Sequence, residues 1–420
     1  MEPPPAPLPA RMRFGPPKKI SLLDRPGGDS FISIVMDFTL ARNQLMIRKS
    51  VRKFATETLE EWANTLDRES RPLPPEIVRE MGRLNMWGIQ APEKYGGADL
   101  DTVSYAIVIE ELSRVSAAVG LGVTVHNSVC LAPILKFGTP EQVERLVPDL
   151  ASGKKLGGFT ITEPQAGSDA ASIRTRAVPD GDGWVLNGQK AFVTNGGTGR
   201  LFLVGATVDP GKKTGGIAVF IVEKSMPGFE VGKIEDMMGM RGNMVSELFF
   251  NNVRVPKENV LGRVEDGFRI SMQTLDMGRI GIAAQALGIG MAAYEAAATY
   301  AAERTQFGKP IGSFQGVSFK LAQMRTELDA ARLLIYRAAS LKDQGLPYSV
   351  ESAMCKLYAS GVAMRVCTEA LQVFGGYGYV KDLPVERFFR DAKITQIYEG
   401  TSEVMKIIIG NAIVKEFSKL

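Results

Sequence analysis

The sequence has very few of the residues that most often bind metals or act as nucleophiles. Among 420 residues there are one histidine and three cysteines. A single histidine makes Ser-His-Asp hydrolysis or a multi-histidine metal site improbable, and we predict no metal. We interpret His126, in the stretch TVHNSV, as a structural hydrogen-bonding residue. The cysteines, Cys130, Cys355 and Cys367, form no CxxC pair, which favours a reducing compartment such as the cytoplasm over a disulfide framework.

Strong charge and long apolar runs are also missing. The formal net charge is +4 and no block rich in lysine or arginine stands out, which gives nucleic-acid binding little support. No apolar run approaches the roughly 20 residues that span a membrane. The longest candidate, residues 280–294, contains Gln285 and three glycines, and we predict a buried helix there. No Walker-type Gly-Lys-Ser/Thr loop is present.

Proline is concentrated at the N-terminus. Residues 1–35 hold eight of the 23 prolines, a density that disfavours both helix and sheet pairing. We therefore predict a disordered or extended arm over residues 1–35, with the folded part beginning at Met36.

The remaining chain changes character twice, which predicts an α+β protein with three folded parts. Residues 36–156 show helical spacing of apolar residues. Residues 157–266 consist of short runs rich in Val, Phe and Ile, separated by Gly, Asn and Pro, and predict a β domain. Residues 267–420 return to longer helices. There, six apolar residues repeat at spacings of four and three, as in a helical bundle: Val317, Leu321, Met324, Leu328, Ala331 and Ile335.

Three segments have the composition of ligand-binding loops. Residues 157–172, GGFTITEPQAGSDAAS, combine hydroxyl groups with many backbone N–H groups, which suits a polar heterocycle or a phosphate. The same pattern also fits a simple strand-to-turn exit. Residues 302–315, AERTQFGKPIGSFQ, form a cationic link that could hold a pyrophosphate or be a solvated connection. In residues 372–393 the glycines follow a predicted helix, whereas the glycines of a Rossmann loop follow a strand and precede a helix. This segment is therefore not a standard nucleotide-binding loop.

A lone carboxylate near the C-terminus, in QIYEGTSEV, has two interpretations. Thr401 or Ser402 would cap the last helix, with nearby acidic residues favoured at its N-terminus. Alternatively, Glu399 is a general base held in a closed site. The residues around it do not decide between these.

Together, these segments resemble the acyl-CoA dehydrogenase family. TEPQAGSDAAS, residues 162–172, fits its pattern T-E-x-x-x-G-S-D, and QVFGGYGYVKDLPVERFFRD, residues 372–391, fits Q-x-x-G-G-x-G. RTQFGKPI and IYEGTSE are also similar, and the resemblance runs from Met36 to the C-terminus. It implies an N-terminal helical domain, a middle β-sandwich or barrel domain and a C-terminal four-helix bundle, assembled as a homotetramer with one FAD per subunit.

The resemblance also implies roles for individual residues. Phe192 stands where many relatives carry tryptophan against the flavin, and Arg304, Phe307 and Gln315 would reach the FAD of a neighbouring subunit. The full set implied for FAD is Phe159, Thr160, Ile161, Thr162, Gly167, Ser168, Phe192, Thr194, Arg304, Phe307, Gln315, Gln372, Gly375, Gly376, Thr401 and Glu403. The set implied for the substrate is Ser168, Asp276, Arg279 and Gly400.

The implied reaction is α,β-dehydrogenation of an acyl-CoA thioester to the trans-2-enoyl-CoA. Glu399 would remove the α-proton, and the β-hydrogen would leave as hydride to flavin N5. Isovaleryl- and long-chain-type relatives carry their catalytic glutamate directly before the arginine. Here that position is Gly278, so the resemblance assigns the base to Glu399. The surrounding stretch is most similar to short-chain members, which favours a short-chain or branched-chain substrate.

Other functions stay open at this stage. A decarboxylating glutaryl-CoA-type dehydrogenase keeps the same base, and a catalytically silent member would act as a scaffold. The resemblance implies electron-transfer flavoprotein as the electron acceptor. It implies the cytoplasm for a bacterial protein and the mitochondrial matrix for a eukaryotic one.

Overall fold

The computed structural model describes residues 39–418. The arm predicted for residues 1–35 lies outside the described residues. The first helical part has side-chain caps at the starts of three of its helices: Asp101 accepts a hydrogen bond from Ser104 N at 2.6 Å, Ser116 accepts one from Val119 N at 3.4 Å, and Thr139 accepts one from Gln142 N at 3.2 Å. The helices are α1 (Arg42–Phe54), α2 (Glu60–Glu69), α3 (Pro75–Arg83), α4 (Thr102–Val115), α5 (Ala117–Val125), α6 (Ala132–Phe137) and α7 (Pro140–Ala151).

The middle part is a seven-stranded, mostly antiparallel sheet with the strand order β1-β4-β2-β3-β7-β6, and β5 pairs with β4. The central strand β4 is buried along its whole length because both faces are covered. On one face Phe202 joins a cluster with Leu248, and on the other Leu203 packs in a cluster with Leu146 of α7. The strands are β1 (Gly157–Thr160), β2 (Arg176–Asp180), β3 (Gly183–Val193), β4 (Leu201–Thr207), β5 (Ile217–Glu223), β6 (Phe229–Ile234) and β7 (Ser246–Pro256).

The last part is a helical bundle in which α10 packs against α8, α9, α11 and α12. Four members of the seam predicted for α9, Met324, Leu328, Ala331 and Ile335, are buried. A small hairpin, β8 (Thr305–Gln306) and β9 (Lys309–Pro310), precedes α9. The helices are α8 (Gly267–Glu303), α9 (Gln315–Asp343), α10 (Ser349–Phe374), α11 (Val385–Ile394) and α12 (Ser402–Phe417).

This order of elements confirms the predicted α+β class. β1 begins at Gly157 and α8 at Gly267, next to the predicted limits of the middle domain, while the domain boundaries themselves stay a prediction.

Two helical stretches have the length and mean hydropathy of a membrane span, although no such span was predicted. They are Ala117–Phe137 and Val264–Glu303, and 89% and 78% of their most apolar windows are buried inside the fold. The second contains the run predicted as a buried helix. The first, which comprises α5, a π-helical segment (His126–Leu131) and α6, was missed because Thr124, His126, Asn127 and Ser128 interrupt its apolar run. Core packing therefore accounts for their apolar composition.

Candidate functional site

Glu399 lies in a tight left-handed turn between α11 and α12. Its φ is 51° and that of Gly400 is 97°, and the first of these is a strained backbone conformation for a residue with a side chain. Thr401 caps α12 by accepting a hydrogen bond from Val404 N at 3.3 Å, so of the two capping candidates, Thr401 and Ser402, the first is the cap. The cap uses the threonine hydroxyl group, so it leaves the Glu399 carboxylate available for another role.

The Glu399 carboxylate is buried without a partner. Both of its oxygen atoms are shielded from solvent and neither has a hydrogen-bond partner among the described residues. Burial raises the pKa of Glu399 to about 7, although the nearby positive charges of Arg279 and Lys356 act in the opposite direction. A carboxylate with a pKa near neutrality suits general-base catalysis.

Gly278 of α8 provides the space that this carboxylate occupies. A Cβ atom at position 278 would lie 2.0 Å from Glu399 Oε2 and 2.9 Å from Val129 Cγ1. Any side chain there would therefore displace the carboxylate.

Of the predicted substrate residues, Gly400 belongs to this turn, and Asp276 and Arg279 lie beside it. Arg279 is buried, and its Nη1 pairs with Asp276 Oδ1 at 2.5 Å. Arg279 Nε makes a longer contact, 3.4 Å, with the backbone oxygen of Glu399. Asp276 also accepts a hydrogen bond from Ser349 Oγ at 3.0 Å. The arginine therefore contacts the backbone of Glu399 and leaves the carboxylate unpaired.

The sequence analysis missed two further residues that support the turn, Lys356 and Gln285. Lys356 of α10 is fully buried, and its Nζ donates to the Gly400 backbone oxygen at 2.6 Å. The hydroxyl group of Tyr398 donates to Gln285 Oε1, and Gln285 Nε2 donates to Ala117 O at 2.8 Å. Lys356 left a signal, since it lies at the four- and three-residue spacing of the buried stripe of α10: Ser352, Lys356, Ala359, Ala363, Val366 and Ala370.

The loop after β1 is held firmly at its base and open at its tip. Thr160, at the end of β1, is buried, and its Oγ1 has no hydrogen-bond partner among the described residues. Ile161 is buried, and the backbone oxygen of Thr162 accepts from Ala191 N at 3.0 Å. Gly167 and Ser168 are exposed.

A buried ion pair anchors this loop. Lys190 Nζ donates to Glu163 Oε1 at 2.7 Å and to the Ile161 backbone oxygen at 3.1 Å. Glu163 also accepts from the backbone N of Arg174 at 2.6 Å and of Thr175 at 2.8 Å. The carboxylate thus joins the loop after β1 to the start of β2.

Replacing Lys190 by methionine is expected to destabilise the protein by about 3–5 kcal/mol, because the buried Glu163 charge would lose the cation that pairs with it. Urea unfolding followed by circular dichroism measures this change. The matched control is Lys233→Met at the exposed Lys233–Glu235 pair, for which we expect an unfolding midpoint close to that of the wild type because solvent screens this pair. Equal midpoints for both variants would contradict the anchoring role.

Phe192 and Thr194 lie at the end of β3. Phe192 has a φ of 55° and is 64% exposed, and Thr194 is half-buried. The register of β3 with β7 shifts between Lys190 and Val193. This irregularity turns a large aromatic side chain outward at the end of the strand, where it can pack against a planar heterocycle.

The residues predicted to reach a neighbouring subunit are all on the surface. Phe307 is 94% exposed at the tip of the β8–β9 hairpin, with a φ of 52°, and its ring lies edge-on to Phe314. Arg304 lies with its guanidinium carbon 5.7 Å from the centre of the Tyr377 ring. The other exposed members of the predicted FAD set here are Gln315, Gln372, Gly375, Gly376 and Glu403.

Comparison with known proteins identifies the family. Sequence models of the N-terminal, middle and C-terminal domains of acyl-CoA dehydrogenases match residues 41–154, 158–253 and 265–414. The chain belongs to the acyl-CoA dehydrogenase family. An acyl-CoA dehydrogenase of Clostridium acetobutylicum, described as short-chain specific, is 48% identical over 378 residues, covering 90% of this chain and 100% of the relative.

Two solved structures of similar proteins extend this comparison. The butyryl-CoA dehydrogenase of Megasphaera elsdenii is 45% identical with a TM-score of 0.88, covering 90% of this chain and 100% of that chain. A structure described as an electron transferring flavoprotein of Acidaminococcus fermentans is 47% identical with a TM-score of 0.88, covering 90% of this chain and 99% of that one.

Acyl-CoA dehydrogenases are flavoenzymes, and the residues of this chain fit a flavin. The orphaned hydroxyl group of Thr160 needs a polar partner, and the exposed Phe192 ring can pack on a planar group. A Cβ atom added at Gly375 or Gly376 would meet no atom of the described residues within 4 Å, so the backbone there is open to a ligand. These features occur in segments that the sequence analysis predicted to contact FAD.

Proposed function

We propose that this protein catalyses the FAD-dependent α,β-dehydrogenation of a short-chain or branched-chain acyl-CoA thioester to the trans-2-enoyl-CoA. The observation that carries the proposal is the Glu399 carboxylate, which is buried, unpartnered among the described residues and close to neutral in pKa. A buried carboxylate without hydrogen bonds is costly, and such groups concentrate at catalytic sites.

Glu399 removes the α-proton of the thioester. The α-proton is a very weak acid, so the thioester carbonyl oxygen must be stabilised as negative charge develops on it. The backbone N–H of Glu399 donates to no acceptor among the described residues and is available for this oxygen. Gly278 has no side chain that would displace the Glu399 carboxylate, and Arg279 adds positive charge beside the turn.

A bound FAD would supply the acceptor for the β-hydrogen, which would leave as a hydride. Phe159, Thr160, Ile161 and Thr162 would line its flavin ring, with Phe192 and Thr194 against it and Gly167 and Ser168 at the loop tip. Gln372, Gly375, Gly376, Thr401 and Glu403 would hold the remainder, and Ser168, Asp276, Arg279 and Gly400 would contact the substrate.

The exposed hairpin supports a proposal about assembly. A phenylalanine that is 94% exposed at the tip of a hairpin suits burial against another chain, so we place Arg304, Phe307 and Gln315 at the FAD of a neighbouring subunit in a homotetramer. Electron-transfer flavoprotein is the proposed electron acceptor. The proposed location is the cytoplasm of a bacterium, or the mitochondrial matrix if the source is eukaryotic.

A panel of CoA thioesters tests the proposal. The purified protein is expected to be yellow, and its flavin absorbance should bleach anaerobically with butyryl-CoA or a branched analogue. Bleaching only by glutaryl-CoA, with release of CO₂, would replace the proposal by the decarboxylating alternative. A folded, colourless protein that no thioester affects would favour the scaffold alternative.

A further inference from the structure

Lys356 is buried without a carboxylate partner. It is 0% exposed in α10 and forms no ion pair among the described residues, although the Glu399 carboxylate acts on its charge from a longer distance. Lysine is almost never fully buried unless it is paired, so this position needs an explanation. Its closest polar contact is with a backbone atom, because Nζ donates to the Gly400 carbonyl oxygen at 2.6 Å.

Arg279 contacts the backbone carbonyl group of the preceding residue, Glu399. Its Nε contacts the Glu399 carbonyl oxygen at 3.4 Å, while its Nη1 is paired with Asp276. Two cations from two different helices therefore act on consecutive carbonyl groups of one turn. Both residues of that turn have a positive φ, and a strained backbone persists only where surrounding contacts fix it.

Contacts to the backbone have a chemical consequence that a salt bridge would not have. An ion pair to the Glu399 carboxylate would occupy the oxygen atoms that must accept the proton. Contacts to the backbone oxygens hold the turn and keep positive charge near the carboxylate, which favours its ionised form. The ionisable groups that interact with Glu399 are Arg279 from α8, Lys356 from α10, Tyr105 from α4 and its neighbour Tyr398. Asp276 acts in turn on Arg279, and Glu403 acts on Lys356.

We propose that Lys356 is a positioning residue for the base: with Arg279 it clamps the Glu399–Gly400 turn by its carbonyl groups, leaving the carboxylate free and ionisable. This inference rests on the proposed function, in which Glu399 is the base. It adds a buried lysine, distant in sequence, on which the geometry and the ionisation of that base depend.

The first test measures the second-order rate constant of anaerobic flavin bleaching by butyryl-CoA against pH, which reports the free holoenzyme. In Lys356→Met the rate constant is expected to rise at a pH about 1 unit higher than in the wild type and to reach a lower plateau. Lys356→Gln loses the charge but keeps a donor for Gly400, so it should show the same shift with a higher plateau. If Lys356→Met does not fold, Lys356→Gln carries the test.

The matched control is Lys342→Met. Lys342 is a half-buried lysine of α9 whose Nζ donates to Thr102 Oγ1 at 2.9 Å. Its removal should leave the pH profile where it is in the wild type. A Lys356 variant whose profile superimposes on that of the wild type would overturn the proposal.

A second test needs no substrate and separates this inference from the proposed function. The pKa of Glu399 is higher in the folded protein than its ordinary 4.5, so its contribution to stability is lost as pH rises to about 7. The gap in melting temperature between Glu399→Gln and the wild type should therefore widen with pH and level off near 7. When both proteins also carry Lys356→Met, the difference in melting temperature should keep widening to about pH 8. If the difference levels off at the same pH with and without Lys356→Met, the clamp is overturned even if no thioester reacts.

Discussion

Replacing Glu399 by glutamine is expected to lower turnover by about 10³- to 10⁴-fold while the protein keeps its fold and its flavin. Glutamine has nearly the shape of glutamate but cannot accept the α-proton. No hydrogen bond would be lost, because neither carboxylate oxygen has a partner among the described residues. Steady-state turnover with an artificial electron acceptor, together with the flavin-to-protein ratio, measures both parts of this prediction.

The same variant should be more stable than the wild type above neutral pH. Ionisation of a group whose pKa rises from 4.5 to about 7 on folding lowers stability by about 3 kcal/mol, and glutamine removes this penalty. The control is Glu416→Gln, at an exposed position late in α12, which should change neither turnover nor stability. Comparable turnover in Glu399→Gln and the wild type would remove Glu399 from the role of base.

Replacing Gly278 by alanine is expected to lower turnover by about 10²-fold. The new Cβ would lie 2.0 Å from Glu399 Oε2, far inside van der Waals contact, so the carboxylate must move. A misplacement on the order of 1 Å at a reacting group has an effect of this size. Because the turn itself is held by Arg279 and Lys356, flavin content should stay unchanged.

The control for Gly278→Ala is Gly361→Ala. Gly361 is also inside a long helix, α10, but the added Cβ would there approach Arg365 Nη1 at 3.4 Å, the end of a flexible side chain. That variant should keep full turnover, since alanine also favours the helix over glycine. If Gly278→Ala retained full activity as well, the carboxylate would not occupy the space beside α8 during catalysis.

The layout of the chain was largely predictable because it depends on local patterns. The seam of α9 and the cap at Thr401 follow from apolar periodicity and from the preference of threonine for helix starts. The suggestion that Glu399 is a base came from a motif, and its capping alternative could not be decided from residues 396–404 alone. The structure shows that Thr401 caps while the Glu399 carboxylate stays unpaired among the described residues.

The contacts that support the site were not predictable, because they join residues far apart in sequence. Lys356 and Gly400 are 44 positions apart, and Lys190 and Glu163 are 27 positions apart. A lysine in an apolar stripe signals burial but does not name its partner. Likewise, Gly278 is one of several glycines in α8, and only the packing of the turn against that helix shows that it faces the Glu399 carboxylate.

The most direct test of the role of Glu399 compares a single reduction of the flavin in the wild type and in Glu399→Gln. Both holoenzymes are mixed anaerobically with excess butyryl-CoA, and the flavin absorbance is followed while the enoyl-CoA product is quantified. We predict that the wild type bleaches and forms one enoyl-CoA per flavin, and that Glu399→Gln retains its colour over the same time. Equal bleaching rates in the two proteins would contradict the assignment of Glu399 as the base.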